Sequence, residues 1–440
     1  MTFALILRLI LLNQSLWLDE SIEALAIQGH FGPLLSYSLS DFQPPLYHFI
    51  LRAWTSLAGF SEIALRFPSL LAGLGTVYLV IKIGELIGSR KVGIIAGLLA
   101  GTNPLLIYYS QEGRTYAMTT FFVTASFYYL IKLLKSSTID HRPSIIYYTL
   151  YTILFLWTSY LSWFVLLSQV IYVLWKKRYS LLILQLFSAL TLIFWIPSLF
   201  SSLAIGMGDA TNIPGWGRVV GGISLKSLAL TWVKMNIGRI SFENNYLYGA
   251  IVTTLALLHL YILRKINAST IDHRPLTIWL FVPIFLASLI SIWVPVYSYT
   301  RVLFIVPAYL LLLAIGLSKL HYNFTYLTIT AQIIFILIFW YSPRFHREDW
   351  RTLTQSLGTQ SGTVVLPSLK QNAPFLYYDL NLPLSSSTDL SLSSSKVYYV
   401  KYVEEAFDPS RLGPANLAQL GYTLTHQRTY PGLQLDLYEK

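Results

Sequence analysis

Cysteine is absent from the 440 residues, which excludes disulfides, thiol nucleophiles and thiolate metal sites. Charge is scarce as well. Only 12% of residues are charged, against about 25% in a soluble domain. Acids are fewest, 20 against 31 Lys and Arg. What fills the chain instead is apolar: 55% hydrophobic and 15% aromatic residues, with Tyr the commonest aromatic. That balance, with many long apolar runs, points to a multi-pass membrane protein. A net charge of +11 would suit nucleic acid, but the cations sit in short clusters between apolar runs, as in cytoplasmic loops. No nucleic-acid partner is expected. The bilayer is.

Apolar runs at Phe67–Ile87, Val92–Tyr109, Ala117–Leu134, Ile145–Tyr160, Ser162–Trp175, Leu181–Leu199, Tyr246–Leu263, Leu276–Val294, Val302–Leu317 and Phe324–Tyr341 are read as spans. With a first helix in Met1–Leu12, interrupted by Arg8, they make about eleven, where a full crossing needs about twenty residues. That first run is too short for a span and lacks a signal-peptide cleavage site; an upstream start would complete it. Arg90-Lys91, Lys132, Lys135, Arg142, Lys176-Lys177-Arg178, Arg264-Lys265, Arg274 and Lys319 fall in alternate connections, which places those in the cytoplasm. The loop Leu16–Tyr47, the turn Ser110–Tyr116, the long Phe200–Asn245 connection, Trp293–Arg301 and the C-terminal tail then face outward. The expected fold is therefore an all-α polytopic membrane protein, residues 1–341 with a first outer loop at 13–66. A small α/β extracytoplasmic domain follows at 342–440, suggested by Thr363–Leu366, Lys396–Val400 and a helical Ala415–Leu420, with Ser385–Ser395 as a loop.

The first outer loop concentrates the rare acids Asp19, Glu20, Glu23 and Asp41 among aromatic neighbours. Carboxylates beside hydrocarbon are costly unless paired, wetted or used. Within it, Ser21–Gln28 reads as a helix ended by Gly29, and Pro45–Ala58 as a second, lying along the interface. Asp19 and Glu20 fit the first turn of a helix, where acids meet the positive dipole end, and a catalytic role can coexist with that. Adjacent acids point apart, so Asp19 is expected as a base with Glu20 supporting it. On the same side lie Asp41 ahead of Pro44-Pro45, His48, Arg66, Glu112, Arg114, Tyr116 and Arg301. His48 reads first as an interfacial aromatic, and Arg301 either snorkels or grips a phosphate. A divalent cation is the one cofactor these groups could hold, with Asp41, His48 and Glu112 as candidate ligands, although no metal-binding spacing marks it. Transfer from a sugar phosphate needs a base for the acceptor and positive charge for the departing phosphate, and no acid for the leaving group. This loop and its partners contain that kit. The heptapeptide Ser137–Pro143 recurs at Ser269–Pro275; both copies read as loop insertions, seven residues being too few for a structural repeat.

Leu16-Trp17-Leu18-Asp19-Glu20, Pro44-Pro45-Leu46-Tyr47-His48, Leu65-Arg66-Phe67-Pro68-Ser69 and Ser110-Gln111-Glu112-Gly113-Arg114-Thr115-Tyr116 resemble, in that order, the protein O-mannosyltransferase-like family of GT-C membrane glycosyltransferases, the group that includes the aminoarabinose transferases. The likeness is continuous over about residues 3–165 and diffuse beyond, with Arg301 and Asp349-Trp350-Arg351 as weaker echoes. The resemblance implies a GT-C fold, a polyprenyl-phosphate-linked sugar donor, inversion at the anomeric carbon and Asp19 as catalytic base. It also implies that Asp41 and Glu112 shape the site and that Arg301 holds the donor phosphate. The acceptor, a lipid, glycan or protein, is left open. The setting expected is a bacterial inner membrane with the site facing the periplasm. The competing reading is a lipid-linked saccharide flippase, but transporters keep polar groups at mid-bilayer on paired inverted repeats, and the polar clusters here lie at one interface.

Overall fold

The computed structural model describes residues 1–135, 142–212, 222–266, 271–390, 392 and 394–440. The protein is mostly helical, with one small sheet at its C-terminal end. The first elements are α1 (Thr2–Leu9), α2 (Leu18–Gln28), α3 (Phe31–Ser40), α4 (Leu46–Ala58), α5 (Glu62–Ile87), α6 (Arg90–Thr102), α7 (Pro104–Ser110) and α8 (Thr115–Lys135). Among the described residues, five helices are long and apolar enough to cross a membrane: α5, α8, Ser180–Gly208, Asn245–Leu263 and Tyr322–Tyr341. The expected span Val92–Tyr109 is instead the pair α6–α7, bent by 60° and a sixth crossing if counted as one. Its break has a local cause. Pro104 disfavours helix at Asn103, whose extended backbone and side chain then cap α7 by accepting from the Leu106 amide at 3.0 Å. Three further apolar helices, Tyr160–Trp175, Arg274–Ile290 and Leu303–Ser318, are shorter.

Arg8, which interrupts the first apolar run, is fully buried. Its guanidinium donates to the carbonyls of Ala4 and Gly101 at 3.0 Å, to Ala100 at 3.2 Å and to Ser110 Oγ at 3.2 Å. It thereby satisfies the open carbonyls at the C-terminal end of α6. Gly73 of α5 makes room for this junction, since a Cβ there would come 2.0 Å from Ser110 Oγ.

The outer loop is more helical than its sequence suggests. α2 begins at Leu18, so Asp19 and Glu20 lie inside its first turn. α3 was not expected; its Pro33 lies in the first turn, where the missing N–H has no helical partner. The Phe200–Asn245 connection likewise holds an unforeseen helix, Leu225–Ile237, opened by a Ser224–Ser227 capping box. The first copy of the heptapeptide falls largely outside the described residues. In the second, Asp272 pairs with Lys176 at 2.8 Å, as befits a surface loop.

The C-terminal sheet has strands β1 (Thr363–Leu366), β2 (Leu384–Ser386), β3 (Lys396–Lys401), β4 (Thr423–Tyr430) and β5 (Leu433–Glu439), in the order β2-β1-β3-β5-β4. β1 runs parallel to β2 and β3, while β3–β5 and β5–β4 are antiparallel. Alternation along β3 supplies both faces. Tyr398 and Val400 enter a core with Trp350, Leu353, Leu357 and Phe375, whereas Val397 and Tyr399 pack with Leu417, Tyr422 and Tyr438. The expected strands and the helix at Leu412–Gln419 are present. The start of the Ser385–Ser395 stretch is not loop but the edge strand β2, whose serines pair with Val365 and Leu366.

Candidate active site

On α2, Asp19 and Glu23 are four residues apart and so share a face, while Glu20 turns aside. Arg114, in the turn between α7 and α8, serves the shared face. It lies 3.9 Å from Asp19 and 3.4 Å from Glu23. Arg66, from the first turns of α5, serves the other. Its Nε donates to Glu20 Oε1 at 2.8 Å, its Nη2 reaches the same carboxylate, and its remaining donors go to the carbonyls of Leu12, Gln14 and Ser15. All five guanidinium hydrogens are thereby used. Arg66 was expected to contact substrate; it is fully buried and has no donor left, so it belongs to the scaffold.

Glu20 is equally committed. Besides Arg66 it accepts from the Gly113 amide at 2.6 Å and sits 3.9 Å from Arg347. Burial would raise its pKa, but the two arginines prevail and hold it below the usual carboxylate range. A carboxylate so enclosed has no lone pair facing an opening, which leaves it a supporting role.

Asp19 differs. Its side chain is 40% exposed and its one cation, Arg114, stands off at ion-pair distance. Protein still crowds the carboxyl, and this burial raises its pKa, Arg114 opposing and Asp41, Glu20 and Glu23 adding to the rise. It is the acid of the α2 cluster that water can reach.

Glu23 was visible only as one acid among four, and the structure makes it a hub. It lies 2.6 Å from His48 Nδ1 and 3.3 Å from the Tyr37 hydroxyl, in addition to Arg114. His48 is fully buried between Glu23 and Asp41, whose Oδ2 is 3.2 Å from Nε2 but outside hydrogen-bond geometry. Burial disfavours its charge, yet the two carboxylates overcome it and push its pKa up to about 9. His48 thus faces an acid on each side, hydrogen-bonded at Nδ1 alone. Glu112, another candidate ligand, is 3% exposed and lies 3.5 Å from Arg347; burial, opposed by Arg347, raises its pKa to about 7. Among the described residues no three His, Asp or Glu side chains come together as a metal site. Arginines stand where a cation would.

A stability consequence follows for His48. Its folded pKa is raised from 6.5 to about 9, so its contribution is complete below about 6.5 and is lost as pH climbs through about 9. Thermal unfolding should show stability falling across that window, and His48→Gln should flatten that fall. An unchanged alkaline slope in the variant would refute the assignment.

Arg347 has no clear signal in the sequence beyond the charged run after the last apolar helix. It is buried, stacks 4.5 Å above the Tyr108 ring, and ties the chain entering the C-terminal sheet to Glu20 and Glu112. Its neighbour Glu348 is half-buried, bonded to the Tyr402 hydroxyl at 3.4 Å, and close enough to Asp19 that the two charges raise its pKa after burial does. Tyr116 and Arg301 line a small open recess together with Gln43, Thr115, Thr119, Ser159 and Thr300. Arg301 donates to the Pro295 carbonyl at 3.2 Å, which leaves most of its donors uncommitted.

Residues 42–201 match the family model of dolichyl-phosphate-mannose-protein mannosyltransferases. A comparison with curated proteins returns no match. Among solved structures, the fold is similar to that of ArnT from Cupriavidus metallidurans in the apo state, with a TM-score of 0.58 at 11% identity over 97% of this chain and 94% of that one. It is also similar to the Archaeoglobus fulgidus oligosaccharyltransferase solved with Zn and sulfate, with a TM-score of 0.53 at 10% identity over 98% and 72%. The matched segment carries His48, Arg66, Glu112, Arg114 and Tyr116, while Asp19, Glu20, Asp41 and Arg301 lie outside it. Residues 42–201 are thus similar to a mannosyltransferase family, and the fold of the whole chain is similar to those of two membrane glycosyltransferases.

Proposed function

We propose that the protein transfers a sugar from a polyprenyl-phosphate donor to an acceptor hydroxyl, with inversion, on the extracytoplasmic side of a bacterial inner membrane. The observation that carries this reading is the contrast within α2: Glu20 and Glu23 are enclosed by cations and donors, while Asp19 opens to water. Asp19 takes the acceptor proton as the acceptor oxygen attacks the anomeric carbon. The bond from that carbon to the phosphate oxygen breaks on the opposite face, and its electron pair leaves on the phosphate. A phosphodiester-type leaving group departs as a stable anion, so a cation suffices there. Arg301, with free donors at the recess beside Tyr116, supplies it. Arg114 keeps Asp19 ionised and oriented. The side assignment rests on the cationic clusters of the alternate loops, and the domain division at residue 341 on the end of the apolar runs. The fitting acceptors are lipid, glycan or protein hydroxyls. The donor chemistry has a parallel in the Archaeoglobus oligosaccharyltransferase, which was also solved with a dolichol-phosphate and an inhibitory peptide. A divalent cation at Asp41, His48 and Glu112 would have to compete with the pairing of His48 to Asp41 and Glu23 and of Glu112 to Arg347.

The test is donor kinetics with purified protein and a synthetic polyprenyl-phosphate sugar. Arg301→Ala should raise the donor KM about tenfold to a hundredfold, from a charge-assisted contact of about 1.5–3 kcal/mol. An unchanged donor KM would remove Arg301 from the phosphate. No release of polyprenyl phosphate by the wild type with any acceptor would remove the whole reading.

A further inference from the structure

The backbone immediately before Asp19 is held not by the membrane helices alone but by the C-terminal region. The Leu16 amide donates to the Tyr378 hydroxyl at 2.8 Å, and that hydroxyl donates in turn to Glu62 at 3.0 Å. Ser15 Oγ accepts from the Arg351 amide at 3.1 Å, and Arg351 also pairs with Glu62. Leu18, directly preceding Asp19, packs into the core formed by Trp350, Phe375 and β3. The start of α2 is therefore pinned at two successive residues by groups more than three hundred positions away in sequence.

The geometry points to Tyr378 as a positioning residue for the base: its hydroxyl fixes the Leu16 peptide and so sets the aim of the Asp19 carboxylate at the acceptor. This rests on Asp19 being the base. A base displaced by a fraction of an ångström still lets the donor bind but loses rate, because proton transfer demands hydrogen-bond reach of the acceptor oxygen. The donor contacts at Arg301 lie on a different segment and are untouched.

A built-in control separates aiming from mere attachment. Tyr377, the adjacent residue, also ties the C-terminal region to the helical part, donating to the Phe60 carbonyl at 2.6 Å, but among the described residues it makes no hydrogen bond to residues 15–19. Tyr378→Phe and Tyr377→Phe should be made in the full-length protein and compared in donor KM, kcat, Tm and hydrogen exchange at the Leu16 amide. Tyr378→Phe should lower kcat about tenfold, keep the donor KM within about twofold, and speed Leu16 exchange. Tyr377→Phe should lower Tm by a similar amount and leave kcat and Leu16 exchange unchanged. Equal loss of kcat in both variants, or full kcat in Tyr378→Phe, would overturn the proposal. If Asp19→Asn keeps wild-type transfer, the base assignment fails instead, and the Leu16 exchange rates still report whether Tyr378 pins this segment.

Discussion

Asp19→Asn should reduce kcat by about 10²–10⁴-fold, the range that a positioned general base contributes, while leaving the protein folded and membrane-inserted. The substitution keeps the shape of the side chain and removes its ability to accept a proton. Because Asp19 is partly open and meets Arg114 only at 3.9 Å, losing its charge strands no tightly bound cation: Arg114 retains Glu23 at 3.4 Å. Stability should hardly change, and relieved repulsion with Asp41, Glu20 and Glu23 gives any change a favourable sign. Rate loss with intact Tm is the signature of a catalytic group. Glu20→Gln, by contrast, should lose stability first, since it weakens the bonds of Arg66. Wild-type transfer by Asp19→Asn would end the assignment.

Arg66→Ala carries the second large effect, on folding rather than chemistry. Its guanidinium is fully buried and joins Glu20 to three carbonyls of residues 12–15. Removing it leaves a carboxylate stranded beside Arg347 and three carbonyls without donors. Breaking one side of a buried pair costs about 3–5 kcal/mol, a large part of the stability of a typical domain. The measurement is thermal unfolding in detergent, alongside a double variant. Arg66→Ala with Glu20→Ala should recover part of the loss, because the stranded charge is gone. Additive losses would mean that Glu20 and Arg66 do not depend on each other.

Much of this arrangement was readable in the sequence because chemistry concentrates there. Acids are so rare that four in one short segment marked a candidate site, where Asp19, Glu23 and Arg114 lie together while Glu112 meets Arg347. What sequence could not show is which charges are satisfied. Arg66 and Arg301 look alike as arginines beginning apolar runs, yet one is saturated and the other lines a recess. His48 reads as a ligand or an interfacial ring until its place between two carboxylates is seen. Short-range rules also misled at Pro104, which divides an apolar run of ample length. Arg347 and Tyr378 were out of reach, since their partners lie hundreds of residues upstream and nothing local announces the contact.

The hydroxyl that holds Leu16 belongs to Tyr378, 362 residues further along the chain. During synthesis residue 378 must therefore leave the ribosome before the segment ahead of α2 gains this bond. A nascent chain that stops short of it, even one with its apolar helices inserted, would carry Asp19 without this bearing. On the role proposed for Asp19, its chemistry thus waits on the synthesis of the C-terminal sheet region.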